Sequence, residues 1–193
     1  MQNKLVVIFG ASGSGKTTLA NEILQYFSSD KAVIISQDDY YHGSGVSTVK
    51  NFDEPSALDF SLLESNLRSL VSNKEIKGPI YNFRTHLREN YINNVKPKSI
   101  VILDGTMIMT NKVIGDLSSY NIYCDIDNDV CFIRRLNRDI KERGGSVDSI
   151  ILQYLEDVKP SFFKYIKKFK DKAVFHYNEA NKTELFRKLE ELL

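Results

Sequence analysis

Residues 10–17 read Gly-Ala-Ser-Gly-Ser-Gly-Lys-Thr, a full GxxxxGK[ST] string. It sits between the apolar run Leu5–Phe9 and a stretch, Thr17–Phe27, with helical spacing at Leu19, Ile23 and Phe27. No other feature restricts the fold as much. The string needs a buried strand to deliver the chain, glycines that let the backbone curl until successive N–H groups face inward, and a helix whose positive end stands behind them. Gly10, Ala11, Ser12, Gly13, Ser14 and Gly15 then form a cradle for phosphate oxygens. Lys16 reaches the β- and γ-phosphates of a bound nucleotide, and Thr17 offers a hydroxyl to Mg²⁺.

The rest of the chain alternates in the same manner. Lys4–Phe9, Ala32–Ile35, Ile100–Leu103, Asn121–Ile126 and Ala173–Tyr177 have the apolar, β-branched character of core strands. Leu58–Val71, Asp129–Arg143 and Thr183–Leu193 read as helices, as does Ser146–Phe169 with an interruption at Pro160. This order predicts an α/β, three-layer P-loop NTPase sandwich around a mainly five-stranded parallel sheet, with residues 1–193 forming one domain. Two features lie outside that frame. Residues 76–95 suggest a β-hairpin around Gly78-Pro79 and Asn93-Asn94, and residues 36–57 form a connection longer than the roughly 12–15 residues usual for a loop without function.

Composition removes several classes. Hydrophobic residues make up 42% and charged residues 26%, which excludes disordered, collagenous and coiled-coil chains. With 26 Lys+Arg against 25 Asp+Glu, the net charge of +1 gives no general attraction to nucleic acid or to an anionic membrane. No apolar run approaches the ~20 residues of a membrane span. The start MQNKLVVIFG lacks the longer apolar stretch of a secretion signal, so the expectation is a cytoplasmic protein. Cys124 and Cys131, the two cysteines, fit no zinc or disulfide spacing and read as buried small side chains.

Carboxylates narrow the chemistry. Asp104 ends the strand VILD, where a second acidic group can hold the Mg²⁺ shell directly or through water, although Asp104-Gly105 also suits a plain turn. A GTPase switch of DxxG type would need glycine where Met107 stands, and Asn181-Lys182-Thr183-Glu184 lacks the final aspartate of a guanine-reading NKxD. Asp38 and Asp39 follow the strand AVIIS, on the strand-end rim where ligands of such sheets collect. A phosphotransferase needs one carboxylate to take the acceptor's hydroxyl proton, and Asp38 is the candidate. The cluster Arg134, Arg135, Arg138, Lys141 and Arg143 is either a solvated helix face, with Arg135–Asp139 and Arg138–Glu142 as i,i+4 pairs, or a lid of cations over a triphosphate at about 134–148.

Seven blocks in order resemble the uridine (uridine-cytidine) kinases. They are GASGSGKTT, SQDDYY, NFDEPSALD at Asn51–Asp59, YNFRTHLR at Tyr81–Arg88, the strand ending in Asp104-Gly105, RRLNRDIKERG at Arg134–Gly144 and QYLEDVKP at Gln153–Pro160. The resemblance implies ATP or GTP as phosphoryl donor, Mg²⁺, and the 5′-hydroxyl of uridine or cytidine as acceptor. It implies Asp38 as base beside that hydroxyl and near the metal, with Thr17 and Asp104 as the other metal-site residues. It puts Asp53 and Gln153 at the ribose, Tyr81, Phe83 and His86 at the pyrimidine, and Tyr40 on the acceptor side. Thr18 continues the phosphate set. Arg135, Arg138 and Arg143 serve the transferring phosphate, hinged at Gly144-Gly145. Family members are often tetramers, so a homo-oligomer (tetramer or dimer) is expected.

This chain departs from the pattern at several points. Asp104 replaces a glutamate, Gly145 an arginine and Asn82 an aspartate, and KAVFHYNEAN lacks the usual Ala-Asp and Pro-Arg-Gly. Two other readings stay open: a kinase of another small acceptor, such as nicotinamide riboside, pantothenate or a sugar phosphate, and a nucleotide-binding regulator with weakened catalysis.

Overall fold

The computed structural model describes residues 2–43, 51–89 and 92–192, and part of the long connection, 44–50, lies outside them. The central sheet contains β1 (Lys4–Gly10), β2 (Ala32–Ser36), β7 (Ile100–Gly105), β8 (Tyr120–Cys124) and β9 (Phe175–Tyr177). Their spatial order is β2-β7-β1-β8-β9, and every pairing is parallel. The five expected strands are therefore the five observed.

Alternation along the strands builds two apolar layers. Leu5, Val7 and Phe9 of β1 join Val101 and Leu103 of β7 beneath α2 (Phe60–Val71), which contributes Leu63, Leu67 and Leu70. Val6 and Ile8 point to the opposite face with Ile100, Ile102 and Ile122. There they meet Leu19 and Ile23 of α1 (Lys16–Phe27) and Leu185 and Leu189 of α7 (Lys182–Glu190). Residues 5–9 are at most 1% exposed, so β1 is covered on both faces, as its unbroken apolar sequence requires.

Topology places the site. The chain leaves β1 for the β2 edge, returns to β7 beside β1, and then crosses to β8 on the other side of β1 through α3 (Lys112–Leu117). The direction of winding thus reverses between β1 and β7, which opens a crevice at their carboxyl ends. Register pairs Ile8 with Asp104 and Ser36 with Asp104, so the P-loop, the end of β7 and the start of the Asp38 turn stand at one level.

Three local features differ from expectation. The insertion is two nested antiparallel pairs, β3 (Ile76–Gly78) with β6 (Asn93–Val95) and β4 (Tyr81–Asn82) with β5 (Leu87–Arg88). Asn93-Asn94 is strand, and the reversal falls at residues 83–86, where His86 adopts φ +55° and its N–H donates to the Asn82 carbonyl. Pro160 does not break its helix. After α4 (Asn128–Arg143), α5 (Val147–Gln153) continues through a π-helical turn, Tyr154–Val158, into α6 (Lys159–Ser161) and a second π segment, Phe162–Ile166. The wide turn just before the proline relieves the clash of its ring with the carbonyl four residues back, so right-handed helical backbone persists. Arg138 and Glu142 also do not form the anticipated pair, because Arg138 turns to Asp139.

Candidate active site

The P-loop closes tightly. A Cβ on Gly13, whose φ is +83°, would lie 2.2 Å from the Cys131 carbonyl oxygen, so only glycine lets the loop pass under α4. Gly10 is the buried end of β1, and the Ala11 carbonyl accepts from Lys16 Nζ at 2.8 Å. Burial pushes the Lys16 ammonium below its ordinary value, opposed by Cys124 and by the carboxylates of Asp104 and Asp38. Lys16 is thus folded against its own loop.

Thr17 Oγ1 donates to Asp104 Oδ2 at 2.6 Å. Asp104 is 3% exposed, and its Oδ1 is buried without a partner among the described residues. A hydroxyl beside an under-satisfied buried carboxylate is the donor set a hard cation takes. Among the described residues no cluster of three or more His, Cys, Asp and Glu side chains exists. That suits Mg²⁺, which keeps most of its shell as water and phosphate oxygen. Thr17 and Asp104 are the residues that would hold it.

Two clefts meet at this point. One runs along Gly13, Ser14, Gly15, Lys16, Thr17 and Thr18 toward Arg134, Tyr177 and Glu179. The other runs from Ser12 past Asp104 to Asp53, Tyr41, Phe52, Tyr81, Phe83, His86 and Gln153. Gly13, Lys16, Thr17, Asp38, Arg138 and Arg143 line both. Asp38 thus stands on the shared wall. Burial raises its carboxyl above the ordinary value and Asp104 adds to this, while Lys16, Arg143 and Arg138 pull the other way. Asp53 is likewise raised by burial, with Arg135 opposing.

The adjacent aspartate does different work. Asp39 Oδ1 accepts the Tyr81 N–H at 3.3 Å and so ties the insertion to the Asp38 turn. Arg88 completes the attachment: Nε donates to the Tyr41 carbonyl at 2.8 Å and Nη2 to the Tyr40 carbonyl at 3.1 Å, and both terminal nitrogens reach Asp59 Oδ2 at 3.2 Å. Asp59 also caps α2 by accepting the Leu62 N–H, so the insertion is fastened to the body.

Aromatic rings line the far cleft. Tyr41 lies 5.3 Å from Tyr81, Tyr81 5.2 Å from Phe83, and Phe52 5.4 Å from His86 at an interplanar angle of 31°. The buried Tyr81 hydroxyl has no partner among the described residues. Tyr40, expected on the acceptor side, is instead a core residue: it is 2% exposed, and its hydroxyl accepts from Asn66 Nδ2 at 2.9 Å. A short 3₁₀ turn, Gln37–Tyr40, rotates Tyr40 inward and leaves Tyr41 on the cleft. Tyr41 and Phe52 were not expected there, although both sit in the blocks SQDDYY and NFDEPSALD.

Arg135 connects the halves. It is 5% exposed, donates from Nη1 to Ser12 Oγ at 2.9 Å, and donates from Nη2 to Gln153 Oε1 at 2.9 Å. Arg143 stacks its guanidinium 4.3 Å from the Phe83 ring centroid, joining the α4 end to the insertion. The basic helix turns Arg135, Arg138 and Arg143 into the cleft, while Arg134, Lys141 and Glu142 stay on its exposed face. Gly144 ends it at φ +71°. A Cβ on Gly145 would lie 3.0 Å from the Ile150 side chain. Both cysteines are buried, and burial pushes the Cys124 thiol up to about 12.

A profile of the Phosphoribulokinase / Uridine kinase family matches residues 5–184. The chain belongs to this family. It is 44% identical over 169 residues to the uridine kinase of Lactobacillus helveticus, spanning 84% of this chain and 80% of that one. It is 42% identical over 172 residues to the uridine kinase of Clostridium novyi, spanning 86% and 83%. The same fold appears in D-glycerate 3-kinase from Cryptococcus neoformans (TM-score 0.62, 18% identity, 85% of this chain and 79% of that one). It also appears in phosphoribulokinase from Rhodobacter spheroides (TM-score 0.56, 16% identity, 85% and 68%). This member of the family thus combines the fold of small-molecule kinases with a P-loop cleft and an aromatic cleft that share one wall.

Proposed function

We propose that this protein transfers the γ-phosphoryl group of ATP or GTP to the 5′-hydroxyl of uridine or cytidine. The observation that carries this reading is the junction of the two clefts at Asp38. A nucleoside triphosphate in the P-loop cleft and a hydroxylated acceptor in the aromatic cleft would meet there. The acceptor oxygen forms a bond to the γ-phosphorus, the bond from that phosphorus to the bridging oxygen breaks, and the nucleoside diphosphate leaves. Asp38 takes the hydroxyl proton. Lys16, the P-loop N–H groups, Thr18 and the arginines bind and orient the triphosphate; Thr17 and Asp104 would hold Mg²⁺, which when bound would supply charge neutralisation.

The acceptor assignment rests on cleft chemistry together with the names of the relatives. Asp53 can accept from two vicinal ribose hydroxyls, with Gln153 nearby on Arg135. Tyr41, Phe52, Tyr81, Phe83 and His86 offer ring faces to a planar base, and the unused Tyr81 hydroxyl offers a polar edge contact. These features favour a nucleoside over pantothenate or a sugar phosphate, neither of which has a planar base.

An acceptor panel tests this. With ATP or GTP and Mg²⁺, ADP or GDP release should depend on uridine or cytidine and stay at background with pantothenate, nicotinamide riboside or fructose 6-phosphate. Nucleotide binding with no acceptor-dependent release would instead support a regulator.

A further inference from the structure

Asp139 is a carboxylate that no step above uses. It is 4% exposed, on the inner face of α4, one helical turn from Arg135 and from Arg143. Its Oδ1 accepts from Arg138 Nε at 2.9 Å and lies 3.5 Å from Arg143 Nε, and its Oδ2 lies 3.4 Å from Arg135 Nε. One buried anion therefore faces three guanidiniums, all of which line the acceptor cleft. Its backbone carbonyl also accepts the N–H groups of both Gly144 and Gly145, where the helix ends.

Charge makes the arrangement necessary. Lys16, Arg135, Arg138 and Arg143 line one small cleft, and without a bound polyphosphate they repel one another. The Arg143 guanidinium is held below its ordinary value by burial and by Arg138 and Arg135, whereas Asp139 and Asp38 oppose that fall. Asp38 faces the reacting end of the cleft, and Asp139 supports the arginines from behind. Arg135 points Nη1 at Ser12 and Nη2 at Gln153, while its Nε, buried without a hydrogen-bond partner among the described residues, lies 3.4 Å from Asp139 Oδ2 as an ion pair.

We infer that Asp139 is a positioning residue for phosphoryl transfer, a buried counter-ion that orients Arg135, Arg138 and Arg143 together toward the transferring phosphate. It touches neither substrate. Its effect on rate passes through the arginines, and this role rests on the kinase reading above. Because removing it takes away a negative charge near the triphosphate, kcat falls while the KM for ATP does not rise. A residue that merely supported the helix would raise KM and lower kcat together.

The experiment uses D139N, D139E, R138Q and D139N/R138Q, with steady-state kinetics and thermal melts of the free proteins. D139N should lower kcat at least tenfold at unchanged or lower KM for ATP, and D139E should recover most of the loss. The double variant should lose no more than the worse single variant, since both act through one group. In the melts, D139N should lower Tm and R138Q should restore part of it by removing one of the cations left unneutralised. Wild-type kcat in D139N, additive losses, or no restoration of Tm by R138Q overturns the inference. Should D139N not fold, D139E and R138Q decide through the kcat-to-KM split. Should the wild-type protein show no acceptor-dependent turnover, the kinase reading fails on its own, and the melts still judge the coupling of Asp139 to Arg138.

Discussion

Thr17 Oγ1, in the first turn of α1, and Asp104 Oδ2, at the end of β7, are 2.6 Å apart, although 87 residues separate them in sequence. The β1–β7 register produces this contact, and it leaves Asp104 Oδ1 buried and unused. Replacing Asp104 by Asn keeps the volume and the hydrogen bond but removes the charge a cation needs. D104N should lower kcat by about 10²-fold and raise the Mg²⁺ concentration needed for half-maximal rate. A Mg²⁺ titration at saturating ATP measures both.

Asp38 should show opposite effects on activity and stability. Its carboxyl is raised in the folded protein, chiefly by burial, so the ionised form is disfavoured relative to the unfolded chain. That penalty is absent below the unfolded value and complete above the folded one, which means it weighs against the fold at neutral pH. D38N should therefore raise the Tm at pH 7 while lowering kcat by roughly 10²–10⁴-fold. In the wild type, kcat/KM should rise with pH through the raised value, placing the acid limb above the ordinary carboxylate range. Melts and pH profiles of the two proteins test this.

Arg88 fastens the insertion to the carbonyls of Tyr40 and Tyr41 and to Asp59. R88A would free the cup around the base without touching the P-loop. It should raise the KM for the nucleoside about tenfold and change the KM for ATP less than twofold. Initial rates with each substrate varied in turn distinguish the two.

Restoring the family's arginine at position 145 should destabilise this chain. Any Cβ there approaches Ile150, a 4% exposed residue, to 3.0 Å. G145R should cost about 1 kcal/mol, or roughly 2–4 °C in Tm, and I150V in the same chain should recover part of it.

The parts of the fold that follow local rules were legible in the sequence. Leu5–Phe9 had to be a doubly covered strand, and the glycine string after it had to be a tight loop, because few other backbones accommodate that order. Asp38 and Asp104 could be placed because strand ends of such sheets converge. What escaped depends on rotation or on distant partners. Tyr40 and Tyr41 are adjacent, and only the 3₁₀ turn before them decides which one reaches the cleft. The i,i+4 rule correctly pairs Arg135 with Asp139 but treats α4 as an isolated helix. Burial against the P-loop is what draws Arg138 and Arg143 to the same carboxylate. Pro160 signals a break, yet π turns absorb it within a packed helix, and the insertion at 76–95 is fastened to partners outside it, Tyr81 to Asp39 and Arg88 to the Tyr40 and Tyr41 carbonyls.

The most direct test of transfer at the Asp38 junction compares uridine with 5′-deoxyuridine. With ATP and Mg²⁺, uridine should yield ADP and uridine 5′-monophosphate in equal amounts. The 5′-deoxy compound should yield neither product and should compete with uridine, because it keeps the ribose and base contacts but lacks the reacting oxygen. ADP release that is the same with both compounds, or a phosphate found anywhere but on the 5′-oxygen, would contradict the account.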